Sequence, residues 1–171
     1  MNKKTTVGIN GFGRIGRNVF RLLLNHPTIE VIAINDLADT KTLSHLLKYD
    51  SIHGVLKEDI EYTENEVSVA GKKVKFSSEK NIEDISWGNV DIVVECTGKF
   101  KTKKQLENHL RNGAKKVILS VPPLEDDIKT VVLGVNDNTL SPEDLIISNA
   151  SCTTNNAAPM LKIINELCGI E

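Results

Sequence analysis

One hexapeptide constrains this chain more than any other feature. Gly11-Phe12-Gly13-Arg14-Ile15-Gly16 fits G-x-G-x-x-G. It follows a β-branched apolar run, Thr5-Thr6-Val7-Gly8-Ile9-Asn10, and opens an amphipathic stretch with Ile15, Val19, Leu22 and Leu23 at helical spacing. A strand–glycine turn–helix unit is thereby expected. Gly11 permits the tight turn, Gly13 lets backbone approach a pyrophosphate, and Gly16 lets helix and strand pack closely. The unpaired amides and dipole at the helix start then bind phosphate. Asp36 lies twenty residues past Gly16, at the end of the next apolar run, Glu30-Val31-Ile32-Ala33-Ile34-Asn35. A carboxylate there accepts hydrogen bonds from adenosine ribose hydroxyls and repels a 2′-phosphate, which favours NAD over NADP.

The rest of the chain continues the alternation. Thr40 is expected to cap a helix to about Tyr49, with Leu43, Leu46 and Leu47 inward. Val67-Ser68-Val69, Ala70-Gly71 and Val74-Lys75-Phe76 read as a small antiparallel hairpin inserted between βα units. Strands follow at Val90–Cys96, Lys116–Ser120, Val131–Val135 and Leu145–Ser148. Thr102 opens a helix that stops at Asn112-Gly113. A last helix starts at Ser151-Cys152-Thr153, with Met160, Ile163, Ile164 and Leu167 on its apolar side; Pro159 must lie near its first turns or kink it. The expected fold is α/β: a Rossmann-type, doubly wound, mostly parallel sheet with a small antiparallel hairpin insertion.

Composition narrows the partners. Twenty-one basic and 23 acidic residues leave a net charge of −2, and aromatics are 4%. Neither a basic footprint nor a stacking platform for nucleic acid is present, and no basic excess favours an anionic membrane. No apolar run reaches the roughly 18–20 residues of a membrane-spanning helix, and Met1-Asn2-Lys3-Lys4 leads into no signal-peptide core. Cys96, Cys152 and Cys168 are odd in number and widely spaced, which argues for a reducing compartment and against a disulfide framework. None of His26, His45, His53 and His109 forms a metal-ligand pair by spacing, and no metal is expected. Each histidine reads as surface or structural, His45 and His109 on helices beside solvated residues.

Cys152 is different from the other two cysteines. It follows a strand and opens a helix, so the positive end of a helix dipole favours the anionic form of its sulfur. Loops after the carboxyl ends of strands are where an open α/β sheet binds ligand. A small buried cysteine is the competing reading of that position. Cys96, at the end of an apolar strand, and Cys168, late in a helix, read as structural.

These motifs resemble the amino-terminal half of the glyceraldehyde-3-phosphate dehydrogenase family. The matching blocks are Gly8-Ile9-Asn10-Gly11-Phe12-Gly13-Arg14-Ile15-Gly16-Arg17, Ile34-Asn35-Asp36 and Leu46-Leu47-Lys48-Tyr49-Asp50-Ser51. Thr97-Gly98-Lys99-Phe100, Gly113–Val117, Gly134-Val135-Asn136 and Ile147–Asn155 follow in order. The resemblance implies NAD-dependent oxidative phosphorylation of glyceraldehyde 3-phosphate to 1,3-bisphosphoglycerate in glycolysis, by a cytoplasmic homotetramer. It implies that Cys152 is the nucleophile and that Ser151 and Thr153 flank it in the substrate pocket. It assigns the cofactor to Asn10, Gly11, Gly13, Arg14, Ile15, Gly16, Asn35, Asp36, Lys80, Thr97, Gly98 and Ser120. Lys80 stands where the family often has an arginine. Asn156 and Ala157 depart from the usual cysteine and larger aliphatic. Residues 1–150 are expected to form the NAD-binding domain and 151–171 the start of a catalytic domain. The family's general-base histidine and substrate-phosphate ligands fall beyond residue 171, so this chain is expected to bind NAD but turn over poorly alone. Erythrose-4-phosphate dehydrogenase and a non-catalytic NAD-binding module are the alternative readings.

Overall fold

The computed structural model describes residues 3–170; Met1, Asn2 and Glu171, at the outer edges of the two expected segments, lie outside the described residues. The elements are β1 (Thr5–Asn10), α1 (Arg14–Leu23), β2 (Ile29–Asn35), α2 (Thr40–Lys48), β3 (Tyr49–Asp50), β4 (Gly54–Val55), β5 (Ile60–Tyr62), β6 (Glu66–Val69) and β7 (Lys72–Ser77). They continue with β8 (Val90–Glu95), α3 (Lys103–Arg111), β9 (Ala114–Leu119), β10 (Lys129–Thr130), a 3₁₀ turn (Asp137–Thr139), β11 (Ile146–Ser148) and α4 (Cys152–Cys168). Nine strands form one sheet in the order β10-β11-β9-β8-β1-β2-β7-β6-β5; β3 and β4 pair separately as an antiparallel ribbon.

Strands β10, β11, β9, β8, β1, β2 and β7 run parallel. Both neighbours of β1 are parallel to it, β2 being reached through α1 and β8 later in the chain. The order reverses between β1 and β8, which makes that edge a topological switch point, and the fold is the doubly wound Rossmann type. The hairpin β6–β7 turns at Ala70-Gly71, both at positive φ (52° and 74°). It extends the main sheet: β7 pairs parallel with β2, and β5 adds a further antiparallel strand. No described helix is long and apolar enough to cross a membrane.

Several local expectations shift. Helix α1 buries Gly16 and Phe20, with Val19 and Leu23 packed against the core, while Ile15 and Leu22 face solvent at 51% and 79% exposure. Gly16 seats the helix on β1, and that contact turns the inward face to positions 16, 19, 20 and 23. Helix α2 is capped by Asp39, which accepts from Thr42 N–H at 2.8 Å. Thr40 is its first residue and donates its hydroxyl to Thr63 O at 2.6 Å. Leu43 and Leu47 are buried, whereas Leu46 is exposed.

Residues 131–135 are not a strand. Asn136 Oδ1 accepts from Val132 N–H at 2.8 Å, and its Nδ2 donates to Thr130 O at 3.0 Å. Asp137 Oδ1 accepts from Gly134 N–H at 2.7 Å, so side chains satisfy the backbone that a ladder would have used. The apolar side of α4 is exposed at Met160, Ile163, Ile164 and Leu167, and Pro159 lies inside the helix rather than in its first turn. The expected caps of α3 and α4 are present: Thr102 forms a capping box with Gln105, and Ser151 accepts from Thr154 N–H at 2.9 Å.

The amino ends of three neighbouring strands are tied at Asp91 on β8. Thr6 of β1 donates N–H and hydroxyl to Asp91 Oδ2 at 2.9 and 3.0 Å, and Lys115 Nζ of β9 meets Oδ1 at 2.6 Å. The ammonium first, then the threonine donors, hold the Asp91 carboxyl well below the usual carboxylate range. A lowered folded-state pKa adds stability above the unfolded value of about 3.9 that is lost as pH falls toward the folded one. Asp91→Asn therefore lowers the urea midpoint at pH 7, and the gap from the parent protein narrows steadily below about pH 4. A gap that stays constant from neutral to strongly acidic pH would contradict the assignment.

Candidate functional site

A cleft of about 290 Å³ opens at the carboxyl ends of β1, β2, β7 and β8. It brings together Asn10, Gly11, Gly13, Asn35, Asp36, Lys80 and Thr97 of the sequence-predicted residues. Leu37, Glu79, Cys96, Lys99 and Phe100 also line it. Lys99 and Phe100 belong to the Thr97–Phe100 block, but the sequence singles out none of the five as a site residue. The signal they share is positional, since each lies one to five residues beyond a parallel strand's carboxyl end. A second cleft of about 230 Å³ between α1, β2 and β7 includes Phe20, Leu23, Leu24 and Val74 and none of the motif residues.

The three glycines of the loop serve different purposes. Gly11 has φ +88°, and a Cβ there would meet Thr97 N at 2.8 Å. A Cβ on Gly16 would lie 2.1 Å from Gly11 O. Both positions are demanded by the protein's own packing. Gly13 is not: its φ is −70°, and nothing lies within 4 Å of an added Cβ. The open space beside it is the space a phosphate needs.

Helix α1 starts on Gly13 with neither a side-chain cap nor an acidic residue in its first turn. The α2, α3 and α4 starts are capped by Asp39, Thr102 and Ser151. The amides beginning at Arg14 and Ile15 thus remain open to an anionic ligand. Arg17 Nη1 donates to Phe12 O at 2.9 Å and braces the loop from behind. Burial lowers the pKa of that guanidinium, opposed by the charges of Asp50 and Asp36.

Asp36 Oδ2 accepts from Phe12 N–H at 2.6 Å, and Oδ1 accepts from Ala38 N–H at 2.9 Å. The loop itself orients the carboxylate, and each oxygen keeps a lone pair for a ribose hydroxyl. Asn35 Nδ2 donates to Asn10 Oδ1 at 2.9 Å, so the two asparagines lining the cleft lock each other. The structure therefore holds, at a switch point, an open uncapped helix start and a fixed acid beside it.

Comparison with known proteins agrees with this geometry. Residues 5–103 match the family described as "Glyceraldehyde 3-phosphate dehydrogenase, NAD binding domain". The chain belongs to that family. It is 54% identical over 168 residues to glyceraldehyde-3-phosphate dehydrogenase 2 of Streptomyces avermitilis, covering 96% of this chain and 50% of the relative. It is 52% identical to glyceraldehyde-3-phosphate dehydrogenase of Geobacillus stearothermophilus and to that of Thermotoga maritima, each over 96% of this chain and 50% of the relative. The chain spans about half the length of these relatives. NAD is the cofactor of the matched domain, and glyceraldehyde-3-phosphate dehydrogenases are oxidoreductases.

The remaining predicted residues lie outside the cleft lining. Arg14, Ile15 and Gly16 belong to the start of α1. Gly98 follows Thr97 at φ +68°, and Ser120 follows the end of β9 with its hydroxyl buried beside Cys96. Ser151, Cys152 and Thr153 lie at the start of α4, after β11. Cys152 is exposed. The turn into it is tight: Ala150 takes φ +59°, buried, with its N–H donated to Ser148 Oγ at 3.0 Å. Asn155 Nδ2 donates to Asn149 O at 2.7 Å and to Ser151 O at 2.9 Å, closing the turn. Cys96 behaves as a structural thiol: burial pushes its pKa up to about 12, the Ser120 hydroxyl nearby opposes the rise, and the Glu95 charge adds to it.

The glycine distinction is directly testable in this NAD-binding domain. Gly16→Ala forces backbone against backbone and should cost about 3 kcal/mol of stability in urea titration. Gly13→Ala should cost no more than about 1 kcal/mol. Equal losses at the two sites would remove the case that Gly13 is kept for a ligand.

Proposed function

We propose that this chain serves phosphorylating oxidation of glyceraldehyde 3-phosphate to 1,3-bisphosphoglycerate, with residues 1–150 as the NAD-binding domain and 151–171 as the start of a catalytic domain. The observation that carries the reading is the shared edge. The tight turn into Cys152 follows the carboxyl end of β11, and the NAD cleft lies at the carboxyl ends of β8, β1 and β2 in the same parallel set. Three strand spacings separate β11 from β1, on the order of 14 Å. An extended dinucleotide anchored at Asp36 runs along that edge toward Cys152.

In this reading the Arg14 and Ile15 amides hold the pyrophosphate that Gly13 lets approach, Gly11 and Gly16 shape the loop, Asp36 holds the adenosine ribose with Asn10 and Asn35 lining the same pocket, and Lys80, Thr97, Gly98 and Ser120 lie along the groove. Ser151 and Thr153 flank the substrate. When bound, NAD supplies the acceptor for the aldehyde hydride. Cys152 sulfur bonds to the aldehyde carbon, and after oxidation it holds the acyl group as a thioester. A phosphate oxygen then attacks that carbon, the C–S bond breaks, and the thiolate returns. A hydroxyl at position 152 would form a more stable ester and lose the coupling. Free Cys96, Cys152 and Cys168 fit a reducing compartment such as the cytoplasm. A homotetramer is the assembly proposed for the whole protein.

Two measurements check this reading. Iodoacetamide followed by peptide mass spectrometry should modify Cys152 faster than Cys168, which is also exposed but at the opposite helix end, and Cys96 last. Faster modification of Cys168 would speak against Cys152 as nucleophile. In calorimetry the chain should bind NAD at least about tenfold tighter than NADP, and Asp36→Ala should narrow that ratio. Preference for NADP would overturn the role given to Asp36.

A further inference from the structure

Behind the cleft lies a buried polar relay that the proposed chemistry does not use. Glu95, the last residue of β8, and His109, on α3, have no exposed surface. His109 Nε2 lies 3.0 Å from Glu95 Oε2, and Asn10 Nδ2 donates to the same oxygen at 2.6 Å. Thr97 donates its N–H to Oε1 at 2.8 Å and its hydroxyl to the same atom. Every donor converges on one carboxylate, which accepts four hydrogen bonds.

The direction of each bond is determined. Trp87 Nε1 lies 2.9 Å from His109 Nδ1. An indole N–H can only donate, so Nδ1 accepts and the ring proton sits on Nε2, pointed at Glu95. On the other arm, Asn35 donates to Asn10 Oδ1 at 2.9 Å, and its own Oδ1 accepts from Ser77 Oγ at 2.9 Å and Glu79 N–H at 2.8 Å. Trp87 is itself seated on β1, where a Cβ on Gly8 would meet its ring at 2.7 Å.

A buried carboxylate is a costly way to gain stability, because well-packed apolar residues serve as well or better. What it secures here is position. Its partners Asn10, Thr97 and, through Asn10, Asn35 all line the cleft. We propose that Glu95 and His109 are positioning residues for the NAD pocket: one buried acceptor, oriented through His109 by Trp87, sets the mutual placement of Asn10, Asn35 and Thr97 at the ends of β1, β2 and β8. This rests on the cleft being the NAD site.

The relay's directionality supplies a test that simple packing would not satisfy. Glu95→Gln keeps the shape but turns a donor toward His109 and Asn10. His109 then has no good tautomer, since one faces the new amide and the other the Trp87 N–H. Trp87→Phe removes the second conflict, so in the double variant His109 can accept from the side-chain amide at position 95. NAD dissociation constants are measured by calorimetry at low temperature, with circular dichroism to establish folding. Glu95→Gln should weaken NAD by about tenfold or more, and Trp87→Phe by about threefold. The double variant should bind about threefold tighter than Glu95→Gln alone, a non-additive recovery.

Binding by Glu95→Gln within about twofold of the parent chain, or losses that simply multiply in the double variant, would overturn the proposal. If Glu95→Gln does not fold, Trp87→Phe decides: an unchanged dissociation constant removes the relay. A parent chain that fails to bind NAD removes the cofactor reading along with it, whereas binding that is indifferent to these variants removes the relay alone.

Discussion

The approach of α1 to β1 is the contact on which the site depends. A Cβ at Gly16 would stand 2.1 Å from Gly11 O, so the helix can sit this low only because that atom is missing. Sitting low, it places its uncapped start directly beyond the end of β1 and within the turn that Gly11 makes at φ +88°. The anion-binding potential of a helix start is a short-range property of the first turn. Raising the helix by even one methyl would separate those amides from Asp36, whose carboxylate is itself held by Phe12 N–H in the same loop. Packing, turn and electrostatics are therefore one constraint rather than three.

The strands that carry this loop are fastened at both ends by a carboxylate on β8. At the amino ends Asp91 joins Thr6 and Lys115, in a solvated setting. At the carboxyl ends Glu95 joins Thr97, Asn10 and His109 without solvent. The two differ in what they accomplish. An exposed pair adds modest stability that depends on pH and salt. A buried acceptor with all its donors supplied adds geometric definition, because any displacement of a neighbouring strand end leaves a polar group unpaired at a cost of about 1–3 kcal/mol. The solvated tie lies at the end without the cleft, and the dry tie lies under it.

This division also explains what can be read from the residues in order. The glycine loop, the acid at position 36 and the Ser151 turn are legible because each depends on local backbone geometry. The parallel sheet is legible because β-branched runs alternate with amphipathic ones. Residues 131–135 mislead because their apolar pattern is that of a strand, while the deciding groups are the side chains of Asn136 and Asp137. The inward face of α1 misleads because the helix rotates to suit a glycine, which hydrophobic periodicity does not count. His109 looks solvated because its sequence neighbours are polar; it is fully buried because Trp87 and Glu95, far away in the chain, offer one donor and one acceptor of the right sense. Long-range polar complementarity leaves no periodic trace.

The turn into α4 shows the same economy at the proposed reactive end. Ala150 and Ala70 are the non-glycine residues at positive φ among those described, and Ala70 serves an ordinary hairpin. A buried alanine in that conformation costs on the order of 1 kcal/mol and persists only where surroundings over-determine it. Here Ser148 Oγ receives its N–H while donating to Val121 O at 2.8 Å, and Asn155 clamps the far side of the turn. Glycine would relieve the strain but free the backbone. Retaining alanine keeps the turn stiff, so that Cys152 leaves β11 in a single direction. At both ends of the carboxyl edge, then, the chain accepts local strain or buried charge in exchange for groups that cannot wander. That is what the proposed reaction requires, since in it a sulfur, an aldehyde carbon and a hydride acceptor must meet within about 3–3.5 Å of one another.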